Sequence, residues 1–266
     1  MLDRFNRKIN YLRVSVTDRC NFRCAYCMPE EGVPLASHDD ILSLEEIYQA
    51  VNIAVSMGVE KVRLTGGEPL VRKGIVDLVK MISSINGIKD FAMTTNGFYL
   101  EKYAQQLKSA GLHRVNISLD SMYADEFKKI TRLGDLEKVK SGIAAAEKAG
   151  LTPIKINCVI KKSKNEKDAQ SVAKYCADNG YQIRYIREMN LEKGDFFKVQ
   201  GGEGGNCKSC NRLRLTAKGD IMPCLFSDFG FNIKELGIEN AFNMALGNKP
   251  KSGSINTKNK FSNIGG

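Results

Sequence analysis

The chain has 266 residues, 42% of them hydrophobic, enough to bury a substantial core as one large domain or one domain with an extension. Its 40 Lys and Arg against 30 Asp and Glu give a formal charge of +10, which suits an anionic partner, either nucleic acid or a phosphorylated small molecule. No secretory leader precedes the first strand and no apolar run would cross a bilayer, so the expectation is a soluble cytoplasmic protein whose eight cysteines serve as metal ligands or core residues.

From residue 11 to about 187 the sequence alternates β-rich runs with helical patterns. "YLRVSV" (11–16), "VEKVRLT" (59–65), "KDFAMTT" (89–95), "HRVNISL" (113–119), "PIKINCVI" (153–160) and "YQIRYI" (181–186) are six expected strands, rich in Val, Ile and Thr. The clearest helix begins at Ser43, where "SLEE" forms a capping box, and Ile47, Val51, Ala54 and Val55 keep one apolar face until Gly58. Further helical patterns cover 72–85, 99–110, 135–149 and 165–179. Strands separated by helices require parallel pairing with right-handed crossovers. The fold class is therefore α/β, a partial TIM-like barrel of six βα units, with a boundary expected near 190 and a C-terminal region over 191–266.

The unusual residues follow the strands. Cys20, Cys24 and Cys27 come after the first, "GGEP" (66–69) after the second, and "TTNG" (94–97) at the end of the third. "SLDS" (118–121) closes the fourth and "REMN" (187–190) the sixth. In a parallel barrel all these ends share one face, where active sites gather.

After 190 a glycine-rich connector leads to "CKSCNRLRLTAKGDIMPC", in which Cys207, Cys210 and Cys224 form a second set of three, the last two separated by a strand-turn-strand pattern. Cys158 and Cys176 fall in a strand and a helix, where a lone cysteine is ordinarily a small buried hydrophobe. The two histidines, His38 and His113, lie beside neither set. Structural zinc is closed by four ligands, whereas thiolates in threes suit an iron–sulfur cluster with one iron left open. For Cys207, Cys210 and Cys224 zinc remains an alternative, because C-x2-C is common in zinc sites.

The C-x3-C-x2-C loop with Tyr26 before its last cysteine, followed by "GGEP", resembles the radical S-adenosylmethionine (SAM) superfamily. That resemblance implies a 4Fe–4S cluster on Cys20, Cys24 and Cys27, whose open iron chelates S-adenosyl-L-methionine for one-electron cleavage to a 5′-deoxyadenosyl radical. "LRVSVTDRCNFRCAYCMP", "KVRLTGGEPLVR", "TTNG", "NISLDS", "CNRLRLT" and the double-glycine end resemble, over nearly the whole chain, the GTP 3′,8-cyclase family (molybdenum cofactor biosynthesis protein A). The resemblance implies a lyase that converts GTP to (8S)-3′,8-cyclo-7,8-dihydroguanosine 5′-triphosphate, the first step of molybdopterin synthesis. It also implies a second 4Fe–4S cluster on Cys207, Cys210 and Cys224. Its partners would be GTP, a one-electron reductant and the next enzyme, cyclic pyranopterin monophosphate synthase, with no nucleic acid and no membrane, and with a homodimer left open.

By the same resemblance, Tyr26, Gly66, Gly67, Glu68, Thr94, Ser118 and Met189 bind S-adenosylmethionine. Glycines let backbone approach a ligand, although "GG" after a strand also makes a tight turn, and a strand-end Thr or Ser also caps helices. Arg13, Lys61, Arg63, Arg184, Arg212 and Arg214 match substrate-binding positions, and guanidinium forks suit phosphate oxygens. Arg13, Lys61 and Arg63 alternate with apolar neighbours, so one strand face can aim them into a barrel lumen. Gly265 and Gly266, with Arg13, are the expected catalytic residues: the polar tail 251–260 reaches back, Phe261 and Ile264 anchor it, and the glycines enter the site.

The sequence departs from the family pattern in two places. Only "NLEKGDFFKVQGGEGGN" joins Met189 to Cys207, shorter by several dozen residues, and "RYIREM" carries Arg187 where an acidic residue is usual. Two other readings compete. One is a radical SAM enzyme acting on another substrate such as a peptide, or a cyclase-like protein impaired by the shortened connector. The other is a basic RNA-binding protein with two zinc knots, which leaves "GGEP" unexplained and lacks Trp for stacking.

Overall fold

Alternation along the first strand, β1 (Tyr11–Ser15), divides the molecule into two faces: Leu12 and Val14 are fully buried in the apolar core, whereas Arg13 turns into a cavity. The computed structural model describes residues 1–37, 40–258 and 261–264. In these residues β2 (Lys61–Thr65), β3 (Asp90–Thr95), β4 (Arg114–Ser118), β5 (Lys155–Ile160) and β6 (Gln182–Arg187) follow in parallel, each within two residues of its expected bounds.

Helices α1 (Leu44–Ser56), α2 (Ile75–Ser83), α3 (Leu100–Ser109), α4 (Ala124–Thr131), α5 (Leu136–Lys148) and α6 (Lys167–Asn179) lie between the strands. Ser43 caps α1 as expected: its hydroxyl accepts from the Glu46 amide at 3.0 Å, while Glu46 accepts from the Ser43 amide at 2.7 Å. Ala50, rather than Val55, completes its buried stripe with Ile47, Val51 and Ala54. The helix expected from 72 starts only at Ile75. Pro69 first makes a separate 3-10 turn capped by Glu68, and left-handed Gly74 (φ +77°) resets the chain before α2. Helix α4 has no counterpart in the sequence expectation, since Phe127 is its sole large buried side chain.

Beyond the sixth strand, β7 (Arg212–Leu215) pairs parallel with β1, and β8 (Asp220–Met222) and β9 (Phe231–Asn232) continue antiparallel. Among the described residues the sheet runs β6-β5-β4-β3-β2-β1-β7-β8-β9. The sequence boundary near 190 therefore does not divide the sheet. Helices α7 (Ile233–Leu236), α8 (Ile238–Gly247) and α9 (Phe261–Ile264) complete the described chain. Cys158 and Cys176 lie inside the main core, as their positions implied. No helix of the described residues is long and apolar enough to cross a membrane.

Candidate functional site

Two backbone hydrogen bonds fix the entry of the first cysteine loop. The Gly67 amide donates to the Thr17 carbonyl at 2.8 Å, and the Glu68 amide donates to the Arg19 carbonyl at 2.8 Å. A Cβ on Gly67 would lie 2.3 Å from the Arg19 oxygen, and one on Gly66 would lie 2.6 Å from the Thr17 oxygen. The backbone that needs these glycines is thus the protein's own. Close approach of a ligand is not required to explain them.

Glu68 is 1% exposed, and its carboxylate accepts from the Leu70 amide (3.0 Å), the Thr95 hydroxyl (2.7 Å) and the Asn96 amide (2.7 Å). It therefore clamps the "GGEP" turn to the end of β3. Burial raises its pKa to about 7, with the three hydrogen bonds acting in the opposite direction. Asn96 extends the clamp: its side chain donates to Asn21 at 2.8 Å and lies 4.0 Å from the Cys20 sulfur.

A second brace comes from β4. Tyr26 donates its hydroxyl to Asp120 at 2.8 Å, and the other Asp120 oxygen accepts the Val159 amide at 2.7 Å. Burial raises the Asp120 pKa to about 6. Asn96 and Asp120 were not singled out from sequence, although both sit in the highlighted "TTNG" and "SLDS" stretches.

The three thiols of this loop are half-buried, and burial raises Cys20 to about 12 and Cys27 to about 11, with Cys24 raised further by burial and Asp120. The Phe22 amide donates to the Cys20 sulfur at 3.3 Å. An N–H aimed at sulfur and three thiols on one short loop fit a cluster with one open iron. Among the described residues no His, Cys, Asp or Glu triple converges on a single metal ion.

On the inner face the strand register builds rows. Arg214, Arg13 and Arg63 are direct neighbours across β7, β1 and β2, and Ala92 links them to Arg114 on β4. One pleat earlier come Arg212, Tyr11, Lys61 and Asp90. These rows line a cavity of ≈ 450 Å³ that takes in all six cations expected from sequence, together with Arg114, Lys155 and Lys249. Acidic residues there are Asp90 and Glu203.

Arg114 is engaged, since it forks onto both Asp90 oxygens at 3.0 and 2.6 Å. Burial, with help from neighbouring arginines, pushes Arg13, Arg63 and Arg214 down to about 10, so all three remain charged at neutral pH. The Nε atoms of Arg63 and Arg184 are buried without a hydrogen-bond partner among the described residues. A polyanion with several oxygens answers that arrangement. Tyr11 was missed: its ring lies under Arg63 and Arg212, at 5.3 and 5.4 Å from their guanidinium carbons.

Cys207, Cys210 and Cys224 line the same cavity, but at the opposite end of the parallel strands from the first set. Cys210 precedes β7 and Cys224 follows the antiparallel β8, so both lie by the strand starts. The Phe226 amide donates to the Cys224 sulfur at 3.4 Å, again fitting a sulfur-ligated cluster.

Met189 also lines the cavity and packs with Leu191, Met222, Phe226 and Ile264. Thr94 and Ser118 lie on β3 and β4; the Thr94 hydroxyl is buried without a described partner. Neither they nor Tyr26, Gly66, Gly67, Glu68 or the first three cysteines line that cavity. Ile264, 1% exposed, and Phe261 join the apolar cluster beside Cys224. Gly265 and Gly266 lie outside the described residues. Arg187 stacks on Phe197 of the short connector at 3.9 Å.

Comparison with known proteins matches the Radical SAM superfamily over residues 14–176. A GTP 3′,8-cyclase of Geobacter sulfurreducens is 42% identical, with 88% of this chain and 86% of that protein covered. One from Alkaliphilus metalliredigens is 40% identical over 90% of this chain and 88% of its own. A GTP 3′,8-cyclase of Petrotoga mobilis is 40% identical along an alignment of 313 positions covering 98% of this chain and 97% of the other, so this relative has residues that the 266-residue chain lacks. Among solved structures, Streptococcus suis SuiB bound to S-adenosylmethionine superposes with a TM-score of 0.69 at 13% identity. That match covers 92% of this chain and 65% of SuiB and bears on the fold alone.

Proposed function

The chain belongs to the radical SAM superfamily and, within it, to the GTP 3′,8-cyclase family, and from that premise we infer that it cyclises GTP to (8S)-3′,8-cyclo-7,8-dihydroguanosine 5′-triphosphate. The observation that carries the substrate is the row of register-matched arginines across β7, β1 and β2, facing a cavity whose far end holds the second cysteine set.

Membership implies a 4Fe–4S cluster and S-adenosylmethionine. Cys20, Cys24 and Cys27 would hold that cluster, which when bound supplies the electron for cleaving the sulfonium. The protein's own task at this end is rigidity. Glu68 and the Tyr26–Asp120 pair lock the cysteine loop to β3 and β4, so the loop geometry does not depend on the loop alone.

Around S-adenosylmethionine, our reading uses the backbone of Gly66 and Gly67, the spare lone pair of Glu68, the hydroxyls of Thr94 and Ser118, Tyr26 and Met189. Arg13, Lys61, Arg63, Arg184, Arg212 and Arg214 hold the triphosphate. Guanidiniums partly withdrawn from water, Arg63 most of all, pay part of their desolvation before substrate arrives, so phosphate meets a pre-formed charge field. Cys207, Cys210 and Cys224 would hold a second 4Fe–4S cluster facing the base. Gly265 and Gly266, continuing from the anchored Ile264, complete the site beside Arg13 in this reading. An external one-electron reductant feeds the reaction, and the next enzyme of molybdopterin synthesis takes the product.

The test is anaerobic reconstitution with iron and sulfide, followed by incubation with GTP, S-adenosylmethionine and a reductant. Cyclised nucleotide forming together with 5′-deoxyadenosine is the expected result. Deoxyadenosine without any GTP-derived product would remove GTP from the reading and leave a radical SAM enzyme of another substrate.

A further inference from the structure

Lys249 is 2% exposed, an unusual place for an ammonium group. It follows α8 in the polar stretch "GNKPKSG" and points inward against the second cysteine set. Two of its three N–H bonds are accounted for by backbone: Nζ donates to the Arg212 carbonyl at 2.7 Å and to the Pro223 carbonyl at 2.6 Å. These carbonyls belong to the residue two after Cys210 and the residue before Cys224. The ammonium is thus held between the two arms of the set.

Arg7 supports the same frame from outside. It is 9% exposed and donates to the carbonyls of Cys207 (2.7 Å), Pro250 (2.6 Å) and Lys251 (3.1 Å), while Asp3 accepts from its Nε at 2.6 Å. The segment that carries Lys249 is therefore pinned to the cysteine loop on its other side.

The two cysteine sets stand in opposite electrostatic surroundings. Beside the first stand two carboxylates: Glu68 accepts from the amide of Asn96, whose side chain lies 4.0 Å from the Cys20 sulfur, and Asp120 accepts from Tyr26, which lies between Cys24 and Cys27. Beside the second, the Lys249 ammonium is fastened to the backbone two residues after Cys210 and one residue before Cys224. A cation beside a cluster and a hydrogen bond to its sulfur both favour the more negative, reduced state.

We propose that Lys249 is a positioning residue of the second cysteine centre, whose buried ammonium makes this centre accept an electron more readily than the first. The inference rests on the reading that Cys207, Cys210 and Cys224 carry an iron–sulfur cluster. The step involved is a single-electron transfer from an external reductant to that cluster, lowering its charge by one unit. No bond is made or broken. The consequence is an order of reduction between the two centres: the second cysteine set takes its electron before the first.

The experiment is a potentiometric titration with dithionite, followed by electron paramagnetic resonance, on the reconstituted full chain. Cys24→Ala and Cys210→Ala variants assign the two signals. The wild type should reduce the Cys210-dependent signal first. In Lys249→Met that signal should lose at least tenfold in its reduction equilibrium, about 59 mV for one electron, while the Cys24-dependent signal stays in place. Lys249→Arg, which keeps the charge, should recover part of the loss and also reports if the Met variant fails to fold. An iron signal whose midpoint ignores both substitutions, or one that reduces after the first centre in the wild type, overturns the inference alone. Zinc in place of iron at the second set overturns the reading beneath it.

Discussion

Asp120 accepts the hydroxyl of Tyr26 at 2.8 Å across 94 residues of sequence, joining the middle of a ligand loop to the end of a core strand. Tyr26 lies between Cys24 and Cys27, so the loop cannot shift as a unit without breaking this bond. Replacing Tyr26 by Phe leaves a buried carboxylate oxygen without its donor. The expected cost is about 1–3 kcal/mol in chemical denaturation, accompanied by weaker retention of iron after reconstitution. Unchanged stability and iron content would show that the loop holds itself.

Glu68 makes the iron-free chain sensitive to pH. Its native pKa, about 7, lies above the ordinary carboxylate value, so the native state binds its proton more tightly than the unfolded state does. Stability contributed by this group should fall as pH rises from about 4.5 to about 7 and level off above. Denaturation at a series of pH values checks the sign. Glu68→Gln should flatten that slope while lowering stability throughout, because its amide presents a donor where the Asn96 N–H needs an acceptor. A slope that persists in the Gln variant belongs to another group.

Two glycine substitutions should act in opposite directions. Gly67→Ala forces a methyl group to within 2.3 Å of the Arg19 oxygen and should displace the cysteine loop, reducing stability and iron binding together. Gly247→Ala, at the end of α8 with nothing within 4 Å, should raise stability by about 0.4–1 kcal/mol through the unfolded state. Paired melting curves decide the matter; loss of stability in both would point to a defect unrelated to the loop.

Arg63→Met keeps much of the side-chain volume and removes the charge in the centre of the arginine row. Calorimetry under anaerobic conditions should show GTP affinity falling by about tenfold or more, as expected for a hydrogen bond to a charged group worth about 1.5–3 kcal/mol. Guanosine binding should change far less. Equal losses for GTP and guanosine would place Arg63 against the nucleoside rather than the phosphates.

Much of this organisation is legible in sequence because it rests on short periods. The alternation in "LRVSV" and "KVRLT" separates core side chains from cavity arginines, and register then aligns Arg13 with Arg63 automatically. Arg114 obeys the same rule in "HRVNISL" and was readable by it. Lys249 was not. It stands in a polar run that resembles an exposed tail, and its burial depends on carbonyls of Arg212 and Pro223, which no local pattern announces. The roles of Gly66 and Gly67 were hidden for a similar reason: a missing Cβ looks the same from sequence whether a ligand or the chain's own backbone fills the space. Glu68 was recognised as special, but its donors Thr95 and Asn96 come from the end of β3, which only the folded sheet brings beside it.

The pairing of β7 with β1 has a consequence for how the protein comes into being. Asn10 and Asn211 meet across that junction although 201 residues separate them. During synthesis β1 emerges early and can align with β2, yet its other edge stays bare until nearly the whole chain has left the ribosome. Such a distant partner makes closure slow and leaves an open strand edge as a hazard for association with other chains. The first cysteine loop needs only β1 to β5 for its braces, whereas the arginine row and the second set need the late strand. Assembly therefore has a built-in order: the first cysteine loop takes shape first, and the arginine-lined cavity closes last.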